Sequence, residues 1–188
     1  CGPNSKRKTT WLEDNKKLGF DFIASEGNVA DWDSTVKAFD KIRKEVGEVD
    51  VLINNSGTAR NVLFRDMQPL EWQAVIDTNM NSLFNVTRQV VDSMMSRGWG
   101  RIINISSLNA QIGTVGQVNY STAKYAVRGF TRALAREVSA RGVTVNTVSP
   151  GYLATSKLKT VTPVQVIDKI VQEIPVRRLG SPKEIASI

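Results

Sequence analysis

A serine, a tyrosine and a lysine carry the chemistry that this sequence can support. Tyr120 and Lys124 lie four residues apart in Asn119-Tyr120-Ser121-Thr122-Ala123-Lys124, which reads as the opening turn of a helix. That spacing puts both side chains on one helical face, about 5–6 Å apart at Cβ. A free phenol, with a pKa of about 10, is a poor acid or base at neutral pH. An ammonium group held beside a phenol favours the phenolate and brings proton transfer into the working range. Thirteen residues before Tyr120 (120 − 107), Ser107 ends the run Arg101-Ile102-Ile103-Asn104-Ile105-Ser106-Ser107. A buried strand delivers its last side chains to the sheet edge where open α/β folds bind ligands. A Tyr and a Lys at helical spacing more often mark only an amphipathic surface, so the surrounding elements have to bring the three residues together.

Those elements alternate. A helix over Thr9–Leu18 closes at Gly19, and Phe20–Ala24 reads as a short strand. Asp31 can cap the next helix, whose Val36, Phe39, Ile42 and Val46 follow the 3.6 period up to Gly47. Val49–Asn55 is a buried strand, and a long helix over roughly Leu70–Ser96 carries an apolar face suited to another subunit. The strand ending at Ser107 leads through a loop, Leu108–Val118, into the Tyr120 helix, which runs to Arg141 and ends at Gly142. Val143–Val148 is the next strand, Thr155–Thr162 reads as a mobile loop, and Pro163 and Ser181-Pro182 open two more helices. Strands alternating with helices imply an α/β domain on a parallel sheet of βαβ units.

Composition removes several alternatives. The 188 residues contain no histidine, which excludes Ser-His-Asp and Cys-His catalysis and the common zinc sites. Acid–base work falls to Tyr, Lys or carboxylates, and no metal site is expected. A single cysteine, Cys1, forms no intrachain disulfide and suits a reducing cytoplasm. The net charge of +7 suits an anionic partner. No nucleic-acid motif accompanies it, and no run of about 18 apolar residues would span a membrane. The chain starts without Met in turn-like Cys1–Ser5 and stops inside a helical pattern, so it reads as a fragment lacking both ends.

Ser107 and Tyr120-x-x-x-Lys124 do not stand alone. Asn54-Asn55-Ser56-Gly57 ends the preceding strand, Asn79 sits mid-helix, and Ser149-Pro150-Gly151-Tyr152 follows the next strand. In that order the set resembles the short-chain dehydrogenase/reductase superfamily. The resemblance implies a Rossmann-type, doubly wound parallel sheet in one domain over 1–188, with the first strand and the C-terminal strand outside this chain. It implies that Tyr120 donates a proton, Lys124 holds the nicotinamide ribose, Ser107 stabilises the carbonyl oxygen, and Asn79 kinks its helix and supports a proton relay. Cofactor contacts would fall on Gly2, Arg7, Gly27, Asn28, Val29, Asn55, Ser56, Gly57, Tyr120, Lys124, Pro150 and Gly151. The Gly-rich pyrophosphate turn of the superfamily is not found in these residues. The turn that would carry an NAD-selecting acid has Lys6-Arg7-Lys8 instead. Arg7, able to grip a 2′-phosphate with two bonds, points to NADPH.

Longer runs, among them Gly19–Thr35, Gly98–Ile102, Val143–Tyr152 and Ile174–Pro182, are similar to the NADPH-dependent acetoacetyl-CoA reductases of polyhydroxybutyrate synthesis. That likeness implies an acyl-CoA substrate, with Asn61, Thr114, Val115, Gln117, Tyr120, Gly151 and Tyr152 on the substrate side. It also implies a cytoplasmic homotetramer with no nucleic-acid or membrane partner. Two departures bear on substrate preference: Thr114-Val115 stands where the family carries Gln-Phe, and Asn61 where it carries Asp. A 3-oxoacyl-[acyl-carrier-protein] reductase would share the catalytic residues, and an inactive binding subunit of the same fold is the third reading.

Overall fold

The computed structural model describes residues 5–188. In chain order its elements are helices α1 (Ser5–Lys17) and α2 (Trp32–Glu45), then strand β1 (Val51–Asn54). Helices α3 (Pro69–Ile76), α4 (Ser82–Thr87) and α5 (Val91–Arg97) lead to strand β2 (Gly100–Ile105). Helices α6 (Asn109–Ile112) and α7 (Val118–Val138) then lead to strand β3 (Val143–Val148). Helices α8 (Ser156–Val161), α9 (Val164–Glu173) and α10 (Pro182–Ala186) complete the chain. The strands pair in chain order, all parallel, with Leu52 beside Ile102 and Ile102 beside Val145. Parallel neighbours need a crossover, and both crossovers here are helical. The result is an α/β, Rossmann-type fold on a parallel sheet.

Successive strand side chains point to opposite faces. One face presents Leu52, Ile102, Val143 and Val145, which close on Val86, Val90, Val91, Met94 and Val138 from α4, α5 and α7 to make the main core. Burying each such side chain contributes about 1.5–3 kcal/mol. The alternate β1 residues, Val51 and Ile53, remain 47% and 58% exposed on the other face. A second cluster of Val75, Ile76 and Ala123, with Trp72, Met80 and Tyr120 against it, seats α3 on the first turns of α7. The main core thus holds α7 against the sheet and the second cluster holds it against α3.

Five sequence expectations change in the structure. Phe20–Ala24 forms no strand; its backbone pairs with none of the three strands among the described residues, and Phe22 instead stacks on Trp11 (5.0 Å) and Phe20 (5.8 Å). A strand exists through its neighbours, so a β-prone run without one stays merely extended. The expected long helix is divided: a π-helical segment, Asp77–Asn81, follows α3, and Val90 leaves helical geometry before α5. The expected loop at Thr155–Thr162 contains α8, started by the Thr155 hydroxyl accepting from the Leu158 amide (3.2 Å). One hydroxyl cap with little apolar pattern was too small a signal to read. α1 begins at Ser5, four residues before the expected start, so Lys6-Arg7-Lys8 lie in a helix and not in a turn, and the expected loop Leu108–Val118 holds the short helix α6. The Asp31 cap is as expected and accepts from Ser34 N at 2.7 Å.

Two left-handed glycines meet at the base of the sheet. Gly98 (φ 71°) closes α5 and Gly142 (φ 75°) precedes β3, and a Cβ on Gly142 would stand 2.0 Å from the Gly98 carbonyl oxygen. A Cβ on Gly98 would meet open space. Gly98→Ala should therefore carry only the left-handed backbone cost of about 1–2 kcal/mol. Gly142→Ala adds a backbone clash, and thermal unfolding should show a Tm several degrees lower for it than for Gly98→Ala. Equal Tm values for the two variants would contradict the close approach.

Candidate active site

β2 ends at Ile105, but its pairing continues for one residue, with Ser106 N donating to the Val148 carbonyl (2.8 Å). Leu108 N then donates to Pro150 O (2.9 Å). Ser107 is bracketed between these two bonds, and its Oγ accepts from Asn109 N at 3.2 Å. Serine at such a strand end turns the chain without needing a side chain in the core.

The start of α7 is fixed by Asn119, which is fully buried. Its Oδ1 accepts from Tyr120 N (2.7 Å) and its Nδ2 donates to Arg60 O (3.3 Å). This satisfies a first-turn amide that the helix itself leaves free. Lys124, one turn later, is only 4% exposed. Its ammonium donates to Ile105 O at 2.7 Å, and Ser106 Oγ donates to the Lys124 carbonyl at 2.6 Å. Burial pushes the Lys124 pKa down to about 8, because removal from water disfavours the charged form.

Asn79 occupies the π-helical segment and is 1% exposed. Its amide nitrogen donates to Val75 O and Thr58 O, both at 2.8 Å, and its oxygen accepts from Thr58 N at 3.2 Å. The side chain thereby ties the helix to the turn after β1. Gly57 lies in that turn, and a Cβ there would stand 2.8 Å from Asn79 Oδ1 and 3.5 Å from Lys124 Nζ. The approach to Asn79 requires glycine, whereas the distance to Lys124 is one of ordinary contact.

A cavity of about 370 Å³ opens at the C-terminal edge of the sheet. Ser107, Tyr120, Lys124, Asn55, Gly57, Gln117, Pro150, Gly151 and Tyr152 all line it, so the structure brings the central set of sequence candidates together. Asn79 stands behind the wall, through Gly57 and Thr58. Asn61, Thr114 and Val115 are not lining residues. Asn61 accepts from Gln117 Nε2 (3.1 Å), and Val115 is 87% exposed at the loop tip. Ser56 is exposed and also off the wall. Gly27, Asn28 and Val29 form the turn before α2, away from the cavity. There Gly27 leaves room for Ala38 (2.9 Å from a built Cβ), and Val29 O accepts from Asn85 Nδ2 (3.0 Å). Gly2 and the Arg7 side chain lie outside the described residues.

Sequence reasoning missed Thr58, Ala59, Ile105, Asn109 and the buried Ser106 in the wall, together with the buried Asn104 one strand step beneath Ser106. Two serines in succession at a strand end offered a signal for Ser106. The segment beyond Tyr152, expected on the substrate-side wall, contributes Leu153, Thr155 and Leu158; it is held there by the return of the chain, where Leu153 bridges Gly180 and Gly180 N donates to Tyr152 O (2.9 Å).

This geometry places a hydroxyl, a phenol and a buried cation around one opening, an arrangement able to polarise a carbonyl and protonate its oxygen. Residues 1–165 match the short chain dehydrogenase family. The chain is 67% identical to the acetoacetyl-CoA reductase of Cupriavidus necator, over all 188 residues and 76% of that protein. It is 41% identical to the 3-oxoacyl-[acyl-carrier-protein] reductase of Vibrio cholerae, over 95% of this chain and 75% of that one. The gluconate 5-dehydrogenase of Burkholderia cenocepacia, solved with NADP and tartrate, superposes with a TM-score of 0.90 at 28% identity, over 98% of this chain and 72% of the other. By matched length and by whole-chain identity, this chain belongs to the short chain dehydrogenase family.

Proposed function

We propose that this chain carries the catalytic centre of an NADPH-dependent reductase that converts acetoacetyl-CoA to 3-hydroxybutyryl-CoA. The observation that carries the reading is the convergence of Ser107, Tyr120 and Lys124 on one cavity in a chain 67% identical to an acetoacetyl-CoA reductase. The residues present fit a nicotinamide cofactor. Gly57 keeps the turn after β1 free of a side chain beside Lys124, and Asn55, Pro150 and Gly151 line the same wall. Gly27, Asn28 and Val29, and outside the described side chains Arg7, would serve the adenosine end. When bound, NADPH supplies the hydride taken up by the 3-keto carbon.

The chain's own groups do the rest. Ser107 Oγ hydrogen-bonds the keto oxygen and stabilises the charge that grows on it. Tyr120 transfers its phenolic proton to that oxygen, so the C=O double bond becomes C–H and O–H. Lys124, an ammonium below about pH 8, supplies positive charge beside the phenol. Asn79 keeps the Gly57-Thr58 turn open for Lys124 and supports the return of a proton. Gln117 and Tyr152 bound the acyl side.

Among the described residues no helix is long and apolar enough to cross a membrane. The assembly we propose is a cytoplasmic homotetramer in which α4 and α7 meet their copies. Phe84 and Tyr125, 56% and 57% exposed on those two helices, support that reading.

Purified full-length protein should oxidise NADPH with acetoacetyl-CoA, and Tyr120→Phe should lower kcat by at least about 10²-fold. A Tyr120→Phe variant as active as the parent would move the proton donor elsewhere, and turnover confined to carrier-protein thioesters would replace the substrate. Because Lys124 must hold its proton, kcat/KM for reduction should be level below pH 8 and fall above it with a single-proton limb near pH 8. A profile level to pH 9.5 would remove Lys124 from that role. Gly57→Ala should displace Asn79 and lower kcat with little change in overall helicity by circular dichroism; full kcat in that variant would contradict the close approach.

A further inference from the structure

The last rung of the sheet before the cavity is polar, although it faces the core. Asn54, Asn104 and Thr147 are register partners across β1, β2 and β3. The rung beneath, on the same face, is Leu52, Ile102 and Val145. Asn104 is fully buried, and Thr131 on α7 and Thr87 on α4 are 6% and 2% exposed. Every member is paired. Asn54 Nδ2 donates to Thr87 Oγ1 (3.1 Å) and to Asn104 Oδ1 (2.8 Å). Asn104 Nδ2 donates to Thr131 Oγ1 (2.9 Å), which also accepts from Thr147 Oγ1 (2.7 Å).

Apolar residues of the same shape would fill this rung at similar stability, since a satisfied buried pair gains little net free energy over its isostere. What hydrogen bonds add is direction. Thr131 lies seven residues after Lys124 on α7, hence on the same helical face, and Asn104 lies two before Ser106 on β2, hence on the same strand face. The Asn104–Thr131 bond and the Ser106–Lys124 bond therefore lash one face of α7 to one face of β2 at two points. The residue after Ser106 is Ser107, and one turn before Lys124 is Tyr120.

We infer that Asn104 and Thr131 are positioning residues, whose bond sets the separation of Ser107 on the strand from Tyr120 and Lys124 on the helix. This rests on the roles proposed above for those three. A misplacement of about 1 Å between reacting groups can cost as much as 10²-fold in rate. The effect falls mainly on kcat, because Ser107 and Tyr120 act on the keto oxygen in the chemical step, whereas Lys124 keeps its own bonds to Ile105 and Ser106 and the other cofactor-side residues, Asn55, Gly57, Pro150 and Gly151, are not held by the Asn104–Thr131 bond.

The test is a double-mutant cycle in the full-length enzyme with NADPH and acetoacetyl-CoA. The parent and Ser107→Ala are measured first; a Ser107→Ala enzyme as fast as the parent refutes the catalytic reading itself, independently of the rung. Thr131→Val, which keeps the volume and removes the hydroxyl, should lower kcat by about tenfold and leave KM for NADPH within about twofold. Thr131→Ser, which restores the hydroxyl, should recover kcat to within about twofold of the parent. In the Ser107→Ala background, Thr131→Val should lower kcat by less than about twofold more, because the group it positions is gone. The same loss in both backgrounds, a Thr131→Ser variant as slow as Thr131→Val, or a lower Tm with unchanged kcat would each overturn the inference. If Thr131→Val is too unstable to assay, the set Asn104→Leu, Thr131→Val and Thr147→Val removes that bond together with the Thr147 hydroxyl that it would orphan, while Asn54 keeps its bond to Thr87, and reads the same cycle.

Discussion

A lysine held almost out of water is the constraint around which the site is built. An ammonium group in the protein interior is unfavourable unless its charge is answered, and here the answers come from the strand it lies against. The Lys124 ammonium donates to Ile105 O while Ser106 donates to the Lys124 carbonyl, so one residue is fastened to β2 from both its ends. The arrangement works only if α7 sits at one height over the sheet. That height is set by the apolar contacts of Val127 and Val138 on the helix and, near the cavity, by the polar rung. Burial also moves the Lys124 pKa to about 8, which leaves the group charged at neutral pH yet close to losing its proton. Structure and proton chemistry therefore share one cause.

The same fastening accounts for the backbone exceptions beside the site. Asn79 needs its side-chain amide at the Thr58 backbone, and a regular helix would carry that side chain round with the 3.6-residue period. The π-helical segment Asp77–Asn81 breaks the period where the amide is used. Gly57 completes the junction by having no side chain to intervene between Asn79 and Lys124. Three segments distant in sequence, the turn after β1, the widened helix and α7, meet through one carboxamide and one ammonium. Strain of this kind is tolerated where neighbouring bonds over-determine it, and Asn79 has three.

Much of this was legible in the sequence, and the failures have physical reasons. Tyr120 and Lys124 could be read because helical spacing is a local property. Ser107 could be read because a run of β-branched residues announces its own end. Asn79 stood out as a poor helix former inside a helix. Phe20–Ala24 misled because strand propensity describes a fit to neighbours, and propensity alone does not supply them. Asn104 was passed over because a single Asn in an apolar strand has no periodicity to mark it. Its partners, Asn54 and Thr131, are 50 and 27 residues away. The widened turn was hidden for a related reason: it arises from what Asn79 bonds to, and Thr58 is 21 residues earlier. Local geometry was readable; long-range pairing was not.

The tip of the loop before α7 and the catalytic residues are structurally separable. The Gly113–Gln117 loop is fixed at its base, where Val62 N donates to Gly116 O (2.9 Å) and Asn109 and Asn61 flank the Gln117 amide at 3.1 Å on either side. Its tip is free, with Val115 almost wholly in water. A change of side chain at Val115 alters a position in open solvent. It does not reach the Asn119 bonds that seat Tyr120, nor the Ser107 turn on the other side of Asn109. Sequence change at the tip thus leaves Ser107, Tyr120 and Lys124 in position, because tip and cavity wall are joined through the hydrogen-bonded base of the loop.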